Sequence, residues 1–396
     1  MAGAGAAGLA TALGATAPAP AGAQVSHQGA GVPFYGTHQG GIATSTQEHV
    51  HFLALDVVSD SASDLRALLA ALSTAAARLS AGETIGRADT GSAPPVDTGE
   101  ALGLGPARLT ITIGLGPGLF APGRFGLQAL RPAPLVALPS FANDSLEPGI
   151  CHGDIAVQAC ADDPQVAFHA VHDLIRVASP TAVPRWSLAG FGRTHNTAGQ
   201  ATPRNLFGFK EGTANIVEQD HAALERFVWA AAPESPPWMT GGSYMVVRRI
   251  QMLLHQWDSI SLDQQEKTFG RHKLSGAPLG QRHEFDPIDL NAITHGRLAI
   301  SRFAHVRLTS PEYNNGQRIL RRGYSYTDGI SAGAAGAGQL FICFQRDPRV
   351  QFIPMQTRLA LNDLLNEHTK HIGSAIFACP PGARRGGFVG EGLFSR

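Results

Sequence analysis

HVHFLALDV at residues 49–57, followed at 61–80 by SASDLRALLAALSTAAARLS, sets the architecture. The first stretch alternates about Phe52 with the two-residue period of a strand. In the second, Leu65, Leu68, Leu69, Leu72 and Leu79 recur at three- and four-residue spacing, the period of a helix with one buried face. Further along, residues 81–107 are rich in Gly, Pro, Thr and Ser and read as an excursion loop. Alternation returns in RLTITIGL at 108–115 and GDIAVQACA at 153–161. A helix follows at 164–178, with Asp163 as N-cap and Pro164 in the first helical position. A short strand at 186–191 closes a βαββαβ order.

The second half repeats that order. SYMVVRRIQMLLH at 243–255 reads as a strand, and a helix at 261–269 starts with Ser261 and Gln264 at capping-box spacing. Strands at 317–326 and 338–346, a helix at 353–367 and a strand at 373–379 complete the set. The fold class is therefore α+β: two ferredoxin-like βαββαβ domains with antiparallel sheets, at 31–215 and 216–396, after a tail at 1–30. Sequence identity between the halves is not visible, so the repeat rests on element order alone.

A chain of 396 residues exceeds one ordinary hydrophobic core, which agrees with two domains. With 43% apolar and 16% charged residues it is globular. Lys+Arg and Asp+Glu are equal at 31 each, so there is no global basic field to draw in nucleic acid. Nor does any stretch of about 18 apolar residues suggest a membrane span. Residues 1–24 are Ala/Gly-rich, uncharged and end in Ala-Gly-Ala before Gln24, like the core and cleavage site of an export signal lacking its arginines. Cys151, Cys160, Cys343 and Cys379 contain no CxxC or CxxCH, which argues against structural zinc and covalently attached haem. Cys151 and Cys160 fit either a disulfide or two buried thiols.

Several local signals carry little. Gly114-Leu-Gly116-Pro117-Gly118 follows a strand, but its prolines leave no helix to receive a phosphate, so a tight loop is expected. His49 with His51, and His169 with His172, share a face of their elements without an obvious third metal ligand in sequence. Three other segments are more informative: RNLFGFKEGTAN at 204–215, FAHVRL at 303–308 and RILRRGYSY at 318–326. By pattern alone they place Glu211 in a turn between the halves and His305 in an irregular stretch followed by arginines. Such loops often carry functional groups.

These segments resemble the fingerprint of dye-decolorizing peroxidases: a distal Gly-x-x-Asp-Gly loop, a proximal His-Val-Arg-Leu segment and a distal Arg-Arg-Gly-Tyr-Ser-Tyr run. The resemblance extends from Pro33-Phe-Tyr-Gly36 through Leu109-Thr-Ile-Thr112, Cys151-His-Gly-Asp154, Gly241-Gly-Ser-Tyr244 and Phe269-Gly-Arg271 to Gln356-Thr-Arg-Leu359. It is closest to the twin-arginine-exported branch, which implies a periplasmic or extracellular protein. The family's fold, two ferredoxin-like domains of the dimeric α+β barrel type, agrees with the element order. One departure stands out: the family's Asp is Glu211 here.

The resemblance implies non-covalent haem b, with His305 as its axial ligand and a second-shell carboxylate, for which position suggests Asp347. Glu211 takes the distal acid–base role. Arg321, the first of the arginine pair, stabilises the leaving oxygen and anchors haem, while Arg322 does not. Thr213 and Ala214 are candidates to offer backbone N–H groups to a propionate. The partners are hydrogen peroxide and a reducing substrate. For bulky dyes electrons would leave through a surface aromatic, the candidates being Trp186, Trp229, Trp238, Trp257, Tyr244, Tyr324 and Tyr326. Alternatives are iron release from haem, a non-catalytic haem carrier and a haem-free ferredoxin-like protein. Sheet edges of this kind associate, so a homodimer is a further expectation.

Overall fold

The computed structural model describes residues 31–86, 91–192, 202–331 and 334–395; the leader-like segment lies outside them. In the N-terminal half, strand β1 (His49–Val57), helix α1 (Ala62–Ser80), strands β2 (Thr110–Leu115) and β3 (Ile155–Ala161), helix α2 (Pro164–Ala178) and strand β4 (Ala182–Phe191) follow the expected order. Ser61 caps α1 by accepting the Asp64 amide, and Asp163 caps α2 by accepting those of Gln165 and Val166. β4 begins at Ala182 rather than 186. Trp186 and Pro184 oppose the consecutive Ala54 and Leu55, so Arg185 is an extra residue that hides the alternation.

A short helix α3 (His221–Phe227) leads into the second half. There β5 (Ser243–Met252), α4 (Leu254–Asp258), α5 (Leu262–Phe269), a minor hairpin of β6 (Ile293–Thr294) and β7 (Arg297–Leu298), and α6 (His305–Leu308) precede β8 (Leu320–Arg321), β9 (Tyr324–Ser331), β10 (Ala334–Gln345), α7 (Phe352–Asn362) and β11 (Thr369–Cys379). The Ser261–Gln264 capping box forms on α5. The expected strand at 243–255 stops earlier, because α4 begins at Leu254.

The strand order is β5-β11-β2-β3-β1-β4-β9-β10-β8, and β10 also pairs with β5. Each half thus contributes an antiparallel ferredoxin-like sheet, and the two join at both edges into a closed barrel. The seams are narrow: Leu115 opposes Ala378, and Phe191 opposes Ser325. Alternation then assigns the two faces of each strand. Phe52, Trp186, Val247, Ile342, Phe344 and Phe377 fill the interior from both halves. Outward-facing Leu53, Ile111 and Val157 pack under α1 and α2, and Phe341 meets Phe352 of α7. All four cysteines are free, buried thiols, so the disulfide alternative for Cys151 and Cys160 does not hold.

Candidate active site

A cavity of about 650 Å³ lies over the outer face of the C-terminal sheet. Its size falls among small-molecule sites, which run from about 300 to 1,000 Å³. Ile250 and Phe341 form its floor; His305, Met355 and Leu359 form one wall; Glu211, Asn215 and Arg321 stand on another. A second cavity of about 440 Å³, lined by Thr44, Phe191 and Glu218, shares Glu211, Asn215, Arg321 and Gln339 with the first. The carboxylate and guanidinium therefore stand on the partition between two chambers.

His305 opens α6, and its Nδ1 lies 2.6 Å from Oδ2 of Asp363. The other carboxylate oxygen of Asp363 accepts the Leu365 amide at 2.9 Å. With Nδ1 engaged, Nε2 is the ring nitrogen left for the cavity. Asp347, expected in this place from its position, is elsewhere. It lies beyond the end of β10, holds Arg349 at 2.7–2.9 Å and lines neither cavity. Asp363 takes this place for a local reason. The helix expected over 353–367 ends at Asn362, Asp363 turns extended (φ −74°, ψ 126°), and that break sets its side chain beside α6. An aspartate inside an apolar helical pattern was the available signal, since Asp favours helix ends over interiors.

Elsewhere on the cavity lining, Gln339 of β10 donates a hydrogen bond to Oε1 of Glu211. Gly212 next to it has φ of +101°, which favours glycine. Asn215 clamps the backbone of Arg321, accepting its amide at 2.9 Å and donating to its carbonyl at 2.7 Å. Among the described residues the Arg321 guanidinium makes no hydrogen bond or ion pair, so its charge is available to the cavity. Arg322 is buried against the N-terminal half, where it donates to the Thr44 carbonyl and to Gln47. Thr213 and Ala214 both line the larger cavity; the Thr213 hydroxyl is committed to Glu284, which also pairs with Lys210.

Sequence reasoning missed a polar cluster at the floor. The buried Arg248 guanidinium binds Asp144, the Ser374 hydroxyl and His371 Nδ1, and His371 lines the cavity. Burial, reinforced by the Arg248 charge, pushes the His371 pKa down to about 3, so the ring is neutral near pH 7. None of these four residues belongs to a short motif. The seven aromatics considered as surface relays are all buried. Tyr313, not among them, is 38% exposed and follows Ser310 and Pro311 of the cavity wall.

Fold and cavity together define an α+β barrel protein with an imidazole on one wall of its cavity and a carboxylate and guanidinium on another. Comparison with known proteins narrows the class. The family models for the Dyp-type peroxidase N-terminal and C-terminal regions match residues 39–192 and 202–384. The chain is 42% identical over 363 residues to the dye-decolorizing peroxidase of Thermobifida fusca, covering 90% of this chain and 83% of that one. It is 38% identical over 359 residues to the deferrochelatase of Escherichia coli K12, covering 89% and 84%. Ferric DtpA from Streptomyces lividans superposes with a TM-score of 0.86 at 40% identity, over 93% of this chain and 98% of that one. The chain belongs to the Dyp-type peroxidase family, and it is an enzyme of that family.

Proposed function

We propose that this protein is a haem-dependent peroxidase that holds haem b non-covalently in the larger cavity and uses hydrogen peroxide to oxidise dyes, phenols or other one-electron donors. The carrying observation is His305, its Nδ1 held by Asp363, in one cavity with Glu211, Gln339 and Arg321. The residues present suit the group: an imidazole nitrogen, the apolar faces of Ile250, Phe341, Met355 and Leu359, and a permanently charged cation. When bound, haem supplies the redox centre at which the peroxide O–O bond is reduced.

His305 Nε2 would hold the haem iron, and Asp363 would orient the ring and make it more basic. Glu211 Oε1 is occupied by Gln339, which leaves Oε2 to take a proton from one peroxide oxygen and return it to the departing one. Such transfers are worth about 10²–10⁴-fold in rate. Arg321, which does not titrate in the working range, would balance negative charge on the departing oxygen and help hold the haem. Backbone N–H groups of Thr213 and Ala214 would meet a propionate. Relative to the family's Asp, Glu211 adds one C–C bond of about 1.5 Å, and the Gln339 contact offers a means of holding the longer side chain.

The test is the absorption spectrum of purified holoprotein before and after peroxide, with dye bleaching followed in parallel. His305→Ala should lose the histidine-ligated Soret signature. Glu211→Gln should slow peroxide reaction on the order of a hundredfold, with Glu211→Asp much less affected. An unimpaired Gln variant would remove Glu211 from the mechanism. A second reading, release of iron from haem, is favoured by the relative named deferrochelatase; anaerobic incubation with haem that yields metal-free porphyrin without peroxide would select it. The composition of residues 1–24 supports export.

A further inference from the structure

Three buried side chains on the far side of the N-terminal half converge on one point: Asp97, from the loop between α1 and β2, with His169 and Asp173 of α2. We propose that they hold a divalent first-row metal ion, zinc being the fitting species, which staples this loop to α2.

His169 and Asp173 are one helical turn apart and share a face. His169 Nε2 stands 3.5 Å from Asp173 Oδ2 and 3.7 Å from Asp97 Oδ1. Both separations are long for a hydrogen bond. Both are near the edge of a tetrahedron with metal–ligand bonds of about 2.0–2.1 Å, which is roughly 3.3 Å. Across the ring, Nδ1 lies 2.8 Å from the Glu100 carboxylate, and Glu100 also bonds His172 Nδ1 at 2.6 Å. With Nδ1 engaged by Glu100, Nε2 is the ring nitrogen beside Asp97 and Asp173, the position a metal ligand would take.

The second observation is Asp173 itself. Its side chain is 0% exposed, and Oδ2 makes no hydrogen bond among the described residues, while Oδ1 accepts the Thr98 amide at 3.0 Å. Leaving a buried carboxylate oxygen unsatisfied is costly, and a metal ion would satisfy it. Glu100 completes the arrangement in which a ligating histidine gives its other N–H to a carboxylate.

The experiment uses haem-loaded protein stripped of loose metal with a chelator, then titrated with Zn²⁺ in competition with a chromophoric chelator. Wild type should bind one Zn²⁺ more per chain than Asp173→Asn or His169→Gln, and Glu100→Gln should bind it about ten- to a hundredfold more weakly. Zn²⁺ should raise the melting temperature of wild type and not of Asp173→Asn, with dye bleaching the same in both. In the absence of Zn²⁺, Asp173→Asn should be at least as stable as wild type, because it removes a buried charge. Equal Zn²⁺ stoichiometry and affinity in wild type and both ligand variants, or no Zn²⁺ bound by wild type, would overturn the proposal.

Discussion

Asp363 accepts His305 Nδ1 on one carboxylate oxygen and the Leu365 amide on the other, so the imidazole is oriented by a group that is itself held in place. Asp363→Asn keeps the shape but removes the charge. Haem should stay bound while peroxide turnover falls about ten- to a hundredfold and the reduction potential rises, as read by stopped flow and redox titration. His371 makes a different prediction. Its folded pKa is depressed, so the unfolded chain binds a proton that the folded chain does not. The stability involved is complete above pH 6.5 and is lost as pH falls toward about 3, at roughly 1.4 kcal/mol per pH unit. Urea unfolding between about pH 4.5 and 6.5 should show His371→Gln with a slope flatter by about that amount; an unchanged slope would assign the acid sensitivity to other histidines.

The strand that carries Arg321 is interrupted. Even so, β8 and β9 both pair with β10 in one continuous register, and between them the Arg322 amide still donates to the Ile342 carbonyl at 2.7 Å. Neighbouring residues of an extended chain face opposite ways, so Arg321 serves the cavity while Arg322 ties down the N-terminal half. Gly323 is where the distal wall has no room: a Cβ there would lie 2.6 Å from Gln339 Nε2 and 2.8 Å from Glu211 Oε1. Gly323→Ala should therefore displace the carboxylate and lower the rate of peroxide reaction on the order of a hundredfold, with haem content unchanged. Among the helices, the caps at Asp163 and Ser261 were legible because they act within three or four residues. The end of α7 at Asn362 was not, since the contact that rewards it, Asp363 with His305, spans 58 residues.

Both sheets line a single barrel interior. Phe52 of β1 lies 4.8 Å from the Trp186 ring in its own half and 6.3 Å from Phe377 in the other. Each such side chain contributes about 1.5–3 kcal/mol when buried, and the shared interior outweighs seams of one residue pair each. The two halves should accordingly unfold together: urea transitions followed by circular dichroism and by tryptophan fluorescence should coincide, whereas two resolved steps would make the halves independent. Periodicity was enough to obtain the doubled βαββαβ order, because strand and helix periods are properties of adjacent residues. The resemblance of three short segments was enough to single out His305, Glu211 and Arg321. Neither source reached the closure of the sheets into a barrel, the substitution of Asp363 for Asp347, the Arg248–His371 cluster or the convergence of Asp97 on His169 and Asp173. Each of those depends on contacts between residues far apart in the chain, whose energy is defined only once the backbone has brought them together.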